Sequence, residues 1–404
     1  MTDAALPRAA SSLTDIRDDK RRTAMIEFAL AVGGFAIGTG EFATMGFLPD
    51  LAGTLGVTEP TAGHVISAYA LGVVVGSPII AVLAAKLPRR TLLLGLMAVF
   101  ALGNLASALA PGYHALIGLR FLTGMPHGAY FGVASLVAAS LSPPGGRARA
   151  VGRIMMGLTI ATVVGTPLVT WFGQSLGWRL AFAGVGAVGL LTVLLIWLAV
   201  PATSATASSP LVELGALRRP QVWLTLAVAA VGSGGVFAIY TYVSSTLTHV
   251  SGLPLATVPL VLAGFGLGMT AGNVVGSKLA DVALMPAIAG VLLWDVAIGV
   301  VYVFAAHDGW TAAAAMFLVG CGFAIMPALQ TRLMDVAADA QTLAAALNHS
   351  AFNVANALGA WLGGVAIAAG YGWASTGWVA AGLPVLGLAV FGVSALLDRR
   401  RPQA

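Results

Sequence analysis

Residues 178–200 read Trp178-Arg-Leu-Ala-Phe-Ala-Gly-Val-Gly-Ala-Val-Gly-Leu-Leu-Thr-Val-Leu-Leu-Ile-Trp-Leu-Ala-Val200, with no charge after Arg179. At about 1.5 Å per residue, a helix of this length crosses a hydrocarbon core of about 30 Å. Strands of an outer-membrane barrel would alternate polar and apolar residues in runs of about ten, and this stretch does not alternate. A helix satisfies every backbone N–H and C=O within itself, which lipid requires.

Stretches of the same kind recur along the chain. We read spans at 25–48, 62–85, 91–110, 114–140, 148–172, 178–200, 221–247, 256–280, 283–306, 310–334, 341–369 and 373–397. The composition agrees: 58% of the 404 residues are apolar and 9% are charged, against roughly 25% charged in soluble domains. The expected fold is therefore an all-α polytopic membrane protein with twelve spanning helices.

The net charge of +5 could suggest a nucleic-acid partner, but the basic residues are placed by topology instead. With the amino terminus in the cytoplasm, all 20 Lys and Arg except Arg120 and Arg179 fall on the inner side. That bias predicts a multi-pass protein of the cytoplasmic membrane with both termini inside. No small-residue cleavage site follows the first 24 residues, so the first helix is expected to act as its own signal anchor. The lone Cys321 excludes a disulfide framework or a cysteine metal site, and no metal or other cofactor is expected.

The longest polar interruption, 201–220, divides six spans from six. Short matches cross it at a nearly constant offset. Phe35-Ala-Ile37 recurs as Phe237-Ala-Ile239, Gly72-Val-Val-Val-Gly76 as Gly272-Asn-Val-Val-Gly276, Met125-Pro126 as Met326-Pro327, and Gly177-Trp178 as Gly377-Trp378. Four matches in one order indicate internal duplication. The expected organisation is a cytoplasmic tail at 1–24, which reads as disordered, a six-helix bundle at 25–200, a cytoplasmic linker at 201–220, a second bundle at 221–397 and a tail at 398–404. Parallel repeats of this kind hold a site between them in transporters. Gly-xxx-Gly spacings, such as Gly72 to Gly76, Gly124 to Gly128, Gly264 to Gly268 and Gly272 to Gly276, predict close helix approach, either as static packing or as sliding surfaces.

Ionisable groups inside spans are costly and thus functional candidates. Glu41 lies eight residues before Pro49, roughly 12 Å deep, and Arg120 lies roughly 9 Å deep from the same side. At the local repeat offsets they correspond to Val243 and Cys321, so neither charge has a copy. We expect them to interact within the first half, either as a proton-coupling pair or as a permanent structural ion pair. His127, two turns after Arg120, is a candidate for titration or substrate contact, or else a packing group. Asn348, His349, Asn353 and Asn356 in the eleventh span are further cavity candidates; the last three share one helical face, which suits either a cavity lining or interhelical hydrogen bonds. Tyr240 and Tyr242, with Trp171, are candidate aromatic contacts. Asp295, in the ninth span, reads as an interhelical hydrogen-bond anchor or a cavity residue. No phosphate-binding loop and no catalytic triad is present, so no enzyme activity and no catalytic residue is expected.

Three segments carry a family resemblance. They are Ala62-Gly-His-Val-Ile-Ser-Ala-Tyr-Ala-Leu-Gly-Val-Val-Val-Gly-Ser-Pro78, the loop Lys86-Leu-Pro-Arg-Arg90, and Arg120-Phe-Leu-Thr-Gly-Met-Pro-His-Gly-Ala-Tyr-Phe-Gly132. Together with Gly165-Thr-Pro167, Gly177-Trp-Arg179 and Asn353, they resemble the arabinose efflux permease-like branch of the twelve-helix drug:proton antiporters in the major facilitator superfamily. The resemblance implies a major facilitator fold of two six-helix pseudo-repeats. It also implies proton-coupled export of a small organic molecule, such as a drug, sugar or metabolite, by alternating access. An importer or uniporter on the same fold is the alternative, and a non-transporting receptor or assembly protein a more distant one. Partners are then the substrate, protons and the bilayer, with one chain sufficient for a complete pathway. The resemblance places a cytoplasmic gate at Lys86, Arg89 and Arg90, and at Lys278 and Asp281 in the other half. Ala85 and Pro88 stand where the superfamily pattern has Asp and Gly, so the charge network there differs.

Overall fold

The computed structural model describes residues 13–83, 87–141, 147–201, 215–337 and 341–399. All regular structure among them is helical. Ten helices are long and apolar enough to cross a membrane, and the longest, Leu255–Ala305, is about two spans in one. It breaks at Ala283, whose φ of −157° and ψ of 89° are those of a strand residue. A further span is split at Met125 into helices of 12 and 16 residues. Counting these gives twelve.

We label the spans α1 (Leu13–Gly46), α2 (His64–Leu83), α3 (Arg89–Ala108), α4 (Tyr113–Gly124 with Pro126–Leu141), α5 (Arg147–Ile160, through a π turn, to Thr166–Leu176) and α6 (Trp178–Ala199). The second half has α7 (Pro220–Ala227, a π turn at Val228–Gly232, then Gly234–Thr241), α8 and α9 on either side of Ala283, and α10 (Gly309–Cys321, a 3-10 turn at Gly322–Ala324, then Ile325–Ala337). It closes with α11 (Gln341–Ala366) and α12 (Thr376–Arg399). Helix α1 starts at Leu13, well before the expected Met25, because the intervening Asp, Arg and Lys residues are compatible with helix and continue its register. The tail is thus helical from Leu13, not disordered as expected.

In α6, Trp178, Phe182, Val185, Gly189, Thr192 and Ile196 are buried, at helical spacing, while Leu180, Leu191, Leu194 and Leu198 face outward. Both faces are apolar, so hydrophobicity does not separate them; small residues do, because they let helices approach. The Gly-xxx-Gly pairs show this in each half. A Cβ on Gly72 or Gly76 would lie 2.0 Å from the Phe121 carbonyl or 2.3 Å from that of Met125. A Cβ on Gly272 or Gly276 would lie 2.4 Å from the Cys321 carbonyl or 2.1 Å from that of Ala324. The α2–α4 contact is therefore repeated by α8–α10, in the same register at Gly72 and Gly272 and one residue shifted at Gly76 and Gly276, as close packing within each half. Gly264 differs, with open space where its side chain would be. We expect Gly276→Val to lower stability by about 2 kcal/mol, because backbone blocks the side chain; thermal unfolding in detergent measures this, and an unchanged transition would contradict the packing.

One expected repeat match needs correction. Gly177 (φ 92°) turns the chain into α6, and its structural counterpart is Gly372 (φ 78°), followed by Trp373, at the entry to α12. Gly377 lies inside α12 against Val303, so Gly377-Trp378 is a coincidental match. Only Gly adopts these positive φ values without strain.

The halves meet along α2–α11 and α5–α8. Ser67 Oγ donates to the Ala357 carbonyl, and Gly266 allows α8 to reach the Thr162 carbonyl of α5. At the end away from the termini, one apolar cluster includes residues of both halves, such as Phe42, Phe47, Phe182, Tyr240, Leu262 and Phe265. Toward the termini, each half has its own cluster, one around Phe100 and Tyr130, the other around Leu292 and Leu329. The halves are thus fused at one end and separately packed at the other.

Candidate functional site

A cavity lies between the halves. Its walls include Glu41 and Phe42 of α1, His127 of α4, Thr159 and Thr162 of α5, Phe237 of α7, Thr270 and Asn273 of α8, Phe323 of α10, and His349, Phe352 and Asn353 of α11. Its volume is about 50 Å³, room for a few waters but far below the roughly 300 Å³ that small-molecule pockets start from. This conformation is closed around its centre.

Glu41 is buried on α1, and its carboxyl faces the Asn356 amide of α11 across the seam. Asn356 has no other partner among the described residues. Arg120 is fully buried and reaches α1 from α4: one guanidinium nitrogen donates to the Gly40 carbonyl at 3.0 Å and another to Asn104 Oδ1 at 3.4 Å. The guanidinium also lies over the Tyr69 ring, 4.3 Å from its centroid, and 5.0 Å from that of Phe182. Glu41 and Arg120 are therefore neighbours in one electrostatic environment. No salt bridge joins them among the described residues, whose ion pairs are Glu27–Arg153, Glu59–His249 and Arg332–Asp398.

Tyr69 extends this group into the cavity wall. Its hydroxyl meets His127 Nδ1 at 3.1 Å, and Phe131 lies 5.4 Å from the His127 ring. On its other side Phe131 stacks on His349 of α11, at 5.6 Å and nearly parallel. A continuous row thus runs from Arg120 through Tyr69, His127 and Phe131 to His349 in the other half. Tyr69 and Asn104 are not among the residues singled out from sequence. The signal for Tyr69 was its spacing from Gly72 and Gly76, which places all three on the α2 face toward α4.

The other candidates separate into groups. His127, His349 and Asn353 line the cavity, and Asn353 also donates to the His349 carbonyl. Asn348 is buried outside the cavity wall. Tyr240 stacks on Phe265 at 4.1 Å and meets Phe42 edge-on, in the sealed end beyond the cavity. Tyr242 donates its hydroxyl to the Ala360 carbonyl and fills the space left by Gly63 and Gly364. Two residues apart on a helix, these tyrosines point in different directions. Trp171 is half exposed on the outer surface of α5. Of the gate residues, Lys86 lies outside the described residues. Arg89 reaches the Leu136 carbonyl and Arg90 that of Trp197, both within the first half, while Lys278 and Asp281 are exposed. Ties that the sequence did not suggest lie at that end instead, Glu27–Arg153 between α1 and α5, and Arg332–Asp398 between α10 and α12.

At the opposite end, Glu59, just before α2, accepts a hydrogen bond from Ser245 and pairs with His249, both beyond α7, while Trp373 stacks on His249. This contact joins the halves. Removing its carboxylate, as in Glu59→Ala, is expected to favour opening of this end by about tenfold, the value of one hydrogen bond to a charged acceptor. Labelling of a cysteine at Thr246 by a membrane-impermeant maleimide, with Cys321 replaced by Ala, measures this; unchanged labelling would contradict the latch.

Residues 30–346 match the sequence model of the Major Facilitator Superfamily. The chain belongs to the Major Facilitator Superfamily. The chain is similar to the inner membrane transport protein YdhP of Escherichia coli K12, 41% identical over 86% of this chain and 90% of that protein. It is also similar to a chloramphenicol resistance protein of Streptomyces lividans, 34% identical over 82% and 86% of the two chains. A bacterial homologue of the human lysosomal transporter Spinster, in an inward-facing and occupied conformation, superposes with a TM-score of 0.78 at 17% identity, covering 94% of this chain and 99% of that one. That likeness is one of fold. As a member of this superfamily, the protein is a membrane transporter and not an enzyme.

Proposed function

We propose that this protein is a proton-coupled antiporter of the cytoplasmic membrane, with both termini inside, that exports a small organic molecule. The observation that carries the reading is the buried Glu41 carboxyl in the cavity wall, with Arg120 fixed behind it and no copy of either charge in the second half. Ionised, Glu41 has Arg120 close by as counter-charge. Protonated, it can donate to Asn356 across the seam. Substrate and proton therefore compete for one group: a substrate entering from the inside displaces the proton to that side, and reprotonation from the outside follows release. Drug-resistance function in a relative that matches over most of the chain supports the direction. One chain contains both halves of the pathway, so a monomer suffices.

The lining narrows the substrate class. It combines several phenyl rings with hydroxyls, amides and the imidazoles of His127 and His349, and among the described lining residues its one carboxyl group is that of Glu41. Neutral or cationic aromatic compounds suit such a wall, and anions do not. Vesicles of both orientations, with an imposed pH gradient and such a compound as probe, test the proposal. Accumulation in inverted vesicles with an acid interior is expected; accumulation only in right-side-out vesicles with an acid exterior would make the protein an importer instead.

A further inference from the structure

Asp295 stands in the middle of α9, 3% exposed, and neither of its carboxylate oxygens has a hydrogen-bond partner among the described residues. The hydrogen-bond anchor expected from sequence is therefore not formed. Among the described residues no ion pair involves it. Cys321 is a nearby titratable side chain, next in sequence to the residue that Asp295 touches. A carboxyl in such a place demands explanation, because an uncompensated buried charge is among the costliest features a fold can hold.

The surrounding helices are shaped around it. A Cβ on Gly322 of α10 would lie 2.1 Å from Asp295 Oδ1, so glycine at this position makes room for the carboxyl, and Val236 of α7 closes the same point. At Gly322 the α10 helix changes to a 3-10 turn, Gly322–Ala324. One turn before Val236, α7 completes its π turn at Gly232, and the next residue, Ser233, has a buried hydroxyl without a partner among the described residues. Departures from α geometry shift backbone hydrogen bonds and commonly mark functional positions. In membrane carriers, irregular backbone and half-helix ends coordinate ions.

We propose that Asp295 is the centre of a monovalent-cation site in the second half, holding either a proton on its carboxyl or a sodium ion. A single carboxylate suits a single positive charge, and no cluster of three or more acidic, histidine or cysteine side chains suits a divalent metal among the described residues. The site lies directly behind the cavity. Val236 and Gly322, which meet at Asp295, precede Phe237 and Phe323, and these two rings pack edge to face at 5.7 Å in the cavity wall. Loading the site changes the packing behind that wall and so communicates with substrate. This site is separate from Glu41, and its test reads cation binding, not transport, so either proposal can fail alone.

Purified full-length protein is compared with Asp295→Asn and Gly322→Ala by thermal unfolding in sodium, potassium and choline chloride at constant ionic strength and pH. Infrared difference spectra on changing pH follow the protonated-carboxyl stretch. A sodium-specific rise in the unfolding temperature, absent in Asp295→Asn, identifies sodium. A carboxyl band lost in Asp295→Asn, without a sodium response, identifies the proton. In the sodium case, Gly322→Ala keeps the carboxyl but crowds it, and is expected to weaken the response by about tenfold; in the proton case it shifts the band. If the wild type shows neither a sodium response nor an Asp295-dependent band, or if Asp295→Asn keeps whichever response the wild type shows, the proposal is overturned. Should Asp295→Asn fail to fold, Gly322→Ala alone decides, and a wild-type response in it would overturn the proposal.

Discussion

Arg120→Ala is expected to lower stability by about 3 kcal/mol or more and to abolish transport, whereas Arg120→Lys folds but still does not transport. The size follows from what the guanidinium holds. It bridges the Gly40 carbonyl on α1 and Asn104 on α3 while its faces rest on Tyr69 and Phe182. Removing one member of such a buried charged network leaves the others unsatisfied, a loss of about 3–5 kcal/mol. Lysine restores the charge but not the planar fork or the stacking on the rings. Its charge then no longer has a fixed position relative to Glu41, and Tyr69 loses the contact that orients it toward His127. Thermal unfolding and flux in proteoliposomes separate the two effects. Wild-type transport by Arg120→Lys would mean that any positive charge in this region suffices, and the positioning argument would fail.

The fold was legible because lipid permits few solutions. Continuous apolar stretches such as 178–200 require helices, and the shared offset of Gly72 to Gly76 with Gly272 to Gly276 identified the two halves. The spans read at 256–280 and 283–306 lie on either side of the break at Ala283. What the sequence obscured has a physical cause. The repeat match of Gly177-Trp178 to Gly377-Trp378 is off by five residues because a Gly-Trp pair occurs both at the real turn, Gly372-Trp373, and inside the helix, although the span read from 373 begins at that turn.

The site was legible in its charges and not in its neutral partners. Glu41 and Arg120 are conspicuous because ionisable groups are rare in spans, whereas Tyr69, Thr159 and Thr162 look like ordinary helix residues until the halves are assembled. Asn356 was placed on the right helical face, but its facing residue, Glu41, lies more than three hundred positions away. Tyr240 and Tyr242 carried the opposite error: aromatic and within a span, they suited a cavity, yet both serve the sealed end of the seam. In a membrane protein polarity does not distinguish a wall from a joint; the backbone clearance left by glycines does so better.

The central claim is that Glu41 carries the transported proton, and Glu41→Gln tests it with little disturbance. The amide has nearly the same shape and can still hydrogen-bond to Asn356, so stability should change by no more than about 1 kcal/mol. Arg120 keeps its bonds to Gly40 and Asn104. What disappears is a group able to release a proton. In proteoliposomes loaded with a pH-sensitive dye, the wild-type protein should move protons against substrate, and an imposed pH gradient should drive substrate uphill. Glu41→Gln is expected to bind substrate and to equilibrate it down its own gradient, with no proton movement and no response to the pH gradient. Proton-driven accumulation by Glu41→Gln at the wild-type level would contradict the account.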